Sequence, residues 1–316
     1  MDQNTIAIIW DFDKTLISGY MQEPIFRKYG VDSAKFWAEV NALPAAYEKQ
    51  GIKVNHDTIY LNHLITCVEQ GILKGLNNEI LTELGAELEF YPGIPQIFED
   101  LKKVVAEDSD NAKFGIHVEH YIVSTGISAM IRGSKIKDHI DGIWGCEFIE
   151  SPIRSGLDTK LPRNDGEAPR AIKQIGYIID NTSKTRAVFE INKGSNEFNF
   201  IDVNSKIEKA DRRVPFENMI YIADGPSDVP VFSVFKQFGG RTLAVYPKGD
   251  ERAFKQVDQL SVDGRIDLYA EANYSEKEQA HMWLMKQTKE IAQKIFMRLD
   301  EEVRKSASAP PTHLSD

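Results

Sequence analysis

Apolar residues in this chain fall into two kinds of stretch, and the difference separates strands from helices. Ile6 to Trp10, Met219 to Ala223 and RTLAVY at Arg241 to Tyr246 are short, nearly continuous apolar runs, and HVEHYIVST at His117 to Thr125 alternates before becoming apolar. Such runs read as strands buried on both faces of a parallel sheet. Elsewhere the spacing is helical. Phe26, Phe36, Trp37 and Val40, then Ile59, Leu61, Leu64, Ile65 and Val68, recur at three and four residue steps, with breaks expected at Pro44 and near Gly51. The pattern predicts an α/β chain whose central parallel sheet is flanked by helices, with a helical unit inserted after the first strand. Residues 1–17 and 90–274 form the core and 18–89 the insertion, and the chain returns through the hinge-like Tyr91-Pro92-Gly93-Ile94-Pro95. Gly176 to Asp180 is a short strand candidate, and Asn181-Thr182-Ser183 supplies cap chemistry for a helix through Thr185 to Ile191. Leu284, Thr288, Ile291, Ile295, Leu299 and Val303 line one side of a closing helix, 275–305, which is expected to pack on its own core before it serves as a dimer contact. Residues 306–316, with Pro310-Pro311, are expected to be a disordered tail.

Two polar excursions, Glu147 to Gly176 and Asn192 to Asn218, interrupt the core. Within the second, Lys209 to Arg213 reads as a solvated surface before an anion site.

Composition narrows the function classes. The chain of 316 residues is 42% hydrophobic, enough for a sizeable core. A formal net charge of -10 argues against a nucleic-acid groove, which needs a basic face, but leaves small phosphorylated metabolites open. Cys67 and Cys146 are too few and too far apart for a disulfide framework or a zinc site. No stretch approaches the roughly 18 apolar residues of a membrane span, and no signal-peptide layout is read at the N-terminus, so a cytoplasmic protein is expected.

Candidate chemistry gathers at two strand ends. The first run stops at Asp11-Phe12-Asp13-Lys14-Thr15, and the run at Met219 stops at Asp224-Gly225-Pro226-Ser227-Asp228. If both strands share one parallel sheet, four carboxylates converge on its ligand-binding edge. Repulsion at that density favours a bound cation or a shared proton. Oxygen donors of this kind suit Mg²⁺. Taken alone, either segment is also an ordinary turn with a helix cap.

In order along the chain, Asp11 to Thr15, the strand ending in Ser124, Lys184 at a helix start, and Asp224 to Asp228 resemble the four motifs of the haloacid dehalogenase (HAD) superfamily. The phosphoserine-phosphatase-like branch is the most similar, since the insertion lies between the first and second motifs and the second has the form VSxG. The resemblance covers about residues 5 to 250. It implies a Rossmann-like core with a helical cap and a Mg²⁺-dependent phosphomonoester hydrolase acting on a small phosphorylated metabolite through an aspartyl-phosphate. Asp11 would be the nucleophile, Asp13 the general acid and base, and Ser124 and Lys184 the groups on the phosphoryl oxygens. Asp11, the carbonyl of Asp13, Asp224 and Asp228 would hold the metal. Thr125 competes with Ser124, and Lys173 and Lys193 with Lys184. An acid/base Asp13 favours a phosphatase over a dehalogenase. Tyr20 stands where phosphoserine phosphatases carry a substrate-binding glutamate, with Glu23 three residues later. A phosphotransferase or phosphonate hydrolase on the same scaffold, and a silent member binding a phospho-ligand or a protein, are the alternatives.

Overall fold

The computed structural model describes residues 3–153 and 170–308. Strand β1 (Thr5–Trp10) is buried along its whole length. Ile6, Ile8 and Trp10 join one hydrophobic core, Ala7 and Ile9 the other, as the two-residue period of a strand dictates. Four helices follow, α1 (Glu23–Tyr29), α2 (Ser33–Glu48), α3 (Ile59–Glu69) and α4 (Asn78–Gly85). The outgoing and returning chains pair at their base. Ile17 bridges Phe90, the Ser18 amide donates to the Glu89 carbonyl at 3.2 Å, and the Tyr91 amide donates to the Leu16 carbonyl at 2.9 Å. Pro44, expected to break a helix, instead lies inside α2. Its ring removes one helical hydrogen bond, that to the Val40 carbonyl, and the helix continues past it to Glu48.

The remainder runs α5 (Gln96–Ala106), α6 (Ser109–Lys113), β2 (His117–Ile127), α7 (Ser128–Gly133), β3 (Gly142–Ile149), β4 (Gln174–Tyr177), α8 (Ser183–Lys193), β5 (Met219–Ala223), α9 (Val229–Phe238), β6 (Arg241–Tyr246), α10 (Glu251–Val262), β7 (Leu268–Glu271) and α11 (Gln279–Ser308). The seven strands form one sheet in the order β4-β3-β2-β1-β5-β6-β7, parallel except for β4, which pairs antiparallel with β3. Trp10 of β1 lies beside Ile122 of β2 and Ile222 of β5. The carboxyl ends of β1 and β5 therefore stop together, with β2 running on beside them, where the connections diverge to either side of β1, the usual ligand crevice of an open α/β sheet.

Helices cover both faces. Phe98 and Leu101 of α5 pack with Leu284, Ile291 and Ile295 of α11 on one side. Val188 and Ile191 of α8, Phe232 and Phe235 of α9, and Val257 of α10 cover the other. Helix α4 is drawn tightly onto α7 of the core. A Cβ at Gly85 would fall 2.1 Å from the Met130 carbonyl oxygen, and one at Gly133 would fall 1.7 Å from that of Thr82, so only glycine permits this approach.

Several boundaries shift from the sequence expectation. Strand β2 continues past Thr125 to Ile127, and β4 begins earlier than Gly176 and ends at Tyr177, because Asp180 is already engaged in the turn before α8. Helix α11 reaches Ser308, and the expected tail beyond it lies outside the described residues, as do 154–169 of the first excursion. The Lys209 to Arg213 run divides. Lys209 pairs with Glu217 at the surface, whereas Arg213, 14% exposed, donates from the second excursion to the Glu119 carboxylate and the Tyr121 hydroxyl of β2.

His120 of β2 is fully buried. Its Nδ1 accepts from the Trp10 indole at 3.3 Å, and its Nε2 lies 3.1 Å from the Phe98 carbonyl, which fixes the neutral tautomer with the proton on Nε2. Burial, reinforced by Lys102, pushes its pKa from 6.5 down to about 3. A depressed pKa contributes stability above pH 6.5 that is lost as pH falls towards the folded value. The protein is expected to lose about 2 kcal/mol from this group between neutrality and about pH 5. Urea unfolding across that range should show a shallower acid slope for His120→Gln than for the native chain.

Candidate active site

The loop leaving β1 is shaped before any ligand is considered. Lys14 adopts φ 57°, a left-handed conformation, and its amide donates to the Gly19 carbonyl at 3.2 Å. Thr15 is fully buried, and its hydroxyl lies 3.3 Å from Asp11 Oδ2. The Tyr274 hydroxyl, from the segment before α11, donates to the Thr15 carbonyl at 2.7 Å. Asp11 is fixed from the other side, where its amide donates to the Ile222 carbonyl of β5 at 2.9 Å. Asp13 Oδ1 accepts from the Met21 amide at 3.0 Å.

Lys184, in the first turn of α8, is 1% exposed, and its Nζ lies 2.8 Å from Asp11 Oδ1 and 2.7 Å from Asp228 Oδ1. Of the three lysines the sequence left open, it is the one the fold brings to the carboxylates. Lys173 is exposed, and Lys193 Nζ donates to the carbonyls of Val203 and Ser205 at 2.6 and 2.8 Å. Asp228 is fully buried, and its carboxylate also accepts from the hydroxyls of Tyr221 and Ser227. Asp224 completes the group, since Asp11, Asp224 and Asp228 each present an oxygen within 4.8 Å of the others.

The charge is unbalanced. Burial, against the attraction of Lys184, raises the Asp11 pKa to about 6. Burial and the neighbouring Asp11 raise Asp13 to about 8, and burial with Asp11 and Asp228 raises Asp224 to about 7. Burial opposes the charge on Lys184, but the two carboxylates override it and hold the ammonium protonated, above its ordinary range. Asp11, Asp224 and Asp228 around one buried ammonium leave negative charge that a hard divalent cation on oxygen ligands would neutralise, so this donor set fits such an ion.

Ser124 is buried, its Oγ accepting from the Gly126 amide at 3.0 Å, whereas the neighbouring Thr125 lines the cavity above the carboxylates. That cavity, about 500 Å³, is bounded by Asp11, Asp13, Lys184 and Asp224 on the core side and by Tyr20, Trp37 and Tyr60 on the insertion side. Tyr221 was not singled out from sequence because an aromatic in a buried strand reads as core. Asp180 and Asn55 also escaped notice. Asp180 Oδ1 accepts from the amides of Thr182 and Ser183 at 3.1 and 2.7 Å, and Oδ2 from the Asn55 amide of the α2–α3 loop at 3.0 Å. The turn carrying Lys184 is thus tied to the insertion. The cap sequence Asn181-Thr182-Ser183 was visible, but the long-range partner of this turn left no mark in the sequence.

No protein-family profile matches the chain. An uncharacterized protein of Borreliella burgdorferi strain B31 is 39% identical over 290 residues, covering 90% of this chain and 96% of that protein. Among solved structures, a HAD family hydrolase from Salmonella enterica serovar Typhi superposes with a TM-score of 0.50 at 16% identity, over 89% of this chain and 70% of that one, which shows the fold. A probable phosphoserine phosphatase from Vibrio cholerae gives a TM-score of 0.49 at 14% identity, over 93% and 67% of the two chains.

Lys184→Met leaves Asp11 and Asp228 facing each other without their shared cation. Breaking a buried pair in this way is expected to cost about 3 kcal/mol at neutral pH. Urea unfolding in chelator should show this loss, and excess Mg²⁺ should reduce it.

Proposed function

We propose that this chain, which belongs to one family with the Borreliella burgdorferi protein and has the fold of the HAD hydrolases, hydrolyses phosphate monoesters of small metabolites in the cytoplasm. The observation that carries the reading is the placement of Lys184 between Asp11 and Asp228, with Asp13 two residues from Asp11 at the base of a cavity beneath the helical insertion. The two cysteines, both free and buried, agree with a reducing compartment.

The chemistry divides among the residues as follows. Asp11 attacks phosphorus, the bond to the leaving oxygen breaks, and Asp13 gives that oxygen its proton. Burial beside Asp11 keeps Asp13 protonated near neutrality, the state a general acid needs. Asp13 then takes a proton from the water that attacks the phosphorylated Asp11, and inorganic phosphate leaves. Lys184 holds Asp11 in place and balances charge on the phosphoryl oxygens, with Ser124 or Thr125 donating to them. Thr15, buried against Asp11, fixes the loop. Asp11, the Asp13 carbonyl, Asp224 and Asp228 would hold Mg²⁺, which when bound supplies positive charge where the nucleophile and the phosphoryl group meet. Residues 18–89 act as the cap that covers the leaving group.

Phosphate release from p-nitrophenyl phosphate and a panel of metabolite esters tests the reading. Turnover should require Mg²⁺ and vanish in chelator. Asp11→Asn should abolish it, and Asp13→Asn should lower kcat by about 10²–10⁴-fold. Release that persists in Asp11→Asn, or that ignores chelation, would sink the proposal.

A further inference from the structure

The cavity above the carboxylates holds two ammonium groups, and only one of them is answered by a counter-charge. Among the described residues that line it, the lysines and arginines are Lys14 and Lys184. Lys184 is buried between Asp11 and Asp228. Lys14 is half-buried, and its Nζ donates to the neutral Tyr20 hydroxyl at 2.8 Å and stands 4.3 Å from the centre of that ring. No carboxylate among the described residues forms an ion pair with it, and Asp13, its neighbour in sequence, accepts from the Met21 amide instead. An ammonium carries three N–H groups, so one hydroxyl leaves two for a ligand or water.

The backbone at this position makes the placement informative. At φ 57° Lys14 is left-handed, a conformation that glycine adopts freely and that disfavours any residue with a Cβ. The loop carries a lysine there all the same, and strain of this kind persists where the position of the side chain is used. The ammonium is delivered to the insertion side of the cavity, whose wall is aromatic, and Trp37, 5.3 Å from Tyr20, supports the ring beneath it. Because Asp13, the residue before Lys14, would protonate the leaving oxygen, substituents of the departing alcohol come to this side. His56 and Asn41, both exposed, and Asn181 line the same cavity, and each can present an N–H. The carboxylate on the insertion side is Asp57, which is exposed, so water weakens its field.

We infer that Lys14 is a specificity-determining residue for a leaving alcohol of net negative charge, so that the substrate carries a second oxyanion, a carboxylate or a further phosphate, beside the phosphate that is removed. The inference rests on the hydrolase reading above. A zwitterionic alcohol gains less, since its own ammonium opposes that of Lys14.

The experiment compares kcat/KM, with the full chain in Mg²⁺, within sets of esters that differ at one group. Glycerol phosphate, phosphoglycerate and phosphoserine release alcohols that are neutral, anionic and zwitterionic in turn, and fructose bisphosphate adds a phosphate to fructose monophosphate. The anionic member of at least one set should exceed its neutral counterpart by about tenfold, mainly through KM, the effect of one hydrogen bond to a charged group. The set in which it does so tells a carboxylate from a phosphate, and phosphoserine should not exceed phosphoglycerate. Lys14→Gly removes the ammonium and relaxes the backbone, so urea unfolding should show a retained fold. It should lower the ratio of kcat/KM for the preferred ester over p-nitrophenyl phosphate about tenfold, whereas Lys14→Arg, which keeps the charge, should keep most of that ratio. If p-nitrophenyl phosphate is turned over but a neutral or zwitterionic ester matches the anionic ones, or if Lys14→Gly leaves the ratio unchanged, the leaving-group inference falls and the hydrolase reading stands. No release from any ester overturns both.

Discussion

One ammonium group shared by two carboxylates is the contact on which the arrangement of this site depends. For Lys184 to reach both Asp11 and Asp228, β1 and β5 must be neighbours, and α8 must begin directly over their ends. Asp180 fixes that beginning by capping the turn, and Tyr221 and Ser227 fix Asp228. A buried ion pair is a weak source of net stability, because desolvation consumes most of the attraction. Its value here is positional. A small displacement of α8 would leave at least one buried carboxylate unanswered, so few arrangements of these elements are tolerated.

Much of this was legible in the sequence where a residue's type and its place at a strand end carried the information. The apolar runs ending at Asp11 and Asp224 announced the strands, and the carboxylate edge followed from the two together, since either alone also reads as a turn with a helix cap. Lys184 was harder to choose among three lysines, because nothing local distinguishes a buried lysine from one that donates to loop carbonyls, as Lys193 does. Contacts that depend on folding across long separations were invisible. Tyr221 reads as core, Asn55 as an exposed loop residue, and the Tyr274 hydroxyl on Thr15 joins positions from opposite ends of the chain. Pro44 misled for a different reason. Propensity assigns it a break, but a helix already eleven residues long can lose one hydrogen bond and continue.

The helical insertion is attached in two different ways. At its base, two extended segments meet at Ile17 and Phe90, while α4 rests on α7 through backbone-to-backbone contact at Gly85 and Gly133. The aromatic wall spans the base and the helices beyond it, since Tyr20 sits near the base while Trp37 is in α2 and Tyr60 in α3. The Tyr60 hydroxyl also donates to the Thr125 carbonyl of β2 at 2.8 Å. The Asn55 to Asp180 hydrogen bond is a further, exposed contact between the insertion and the turn that carries Lys184.

The central position of β1 also has a consequence for how the chain comes into being. Among the described strands it is made first and is buried throughout, yet its two partners are β2, beginning at His117, and β5, beginning at Met219. Parallel pairing at such separations carries a large loop-closure cost and is slow. Until Ala223 has been made, one edge of β1 has no native neighbour, and the loop at Thr15 waits longer still for Tyr274. The segment that carries Asp11 is thus made well before its partners, and a nascent chain holds this apolar strand incompletely paired until Ala223 is added, an interval in which aggregation competes with folding.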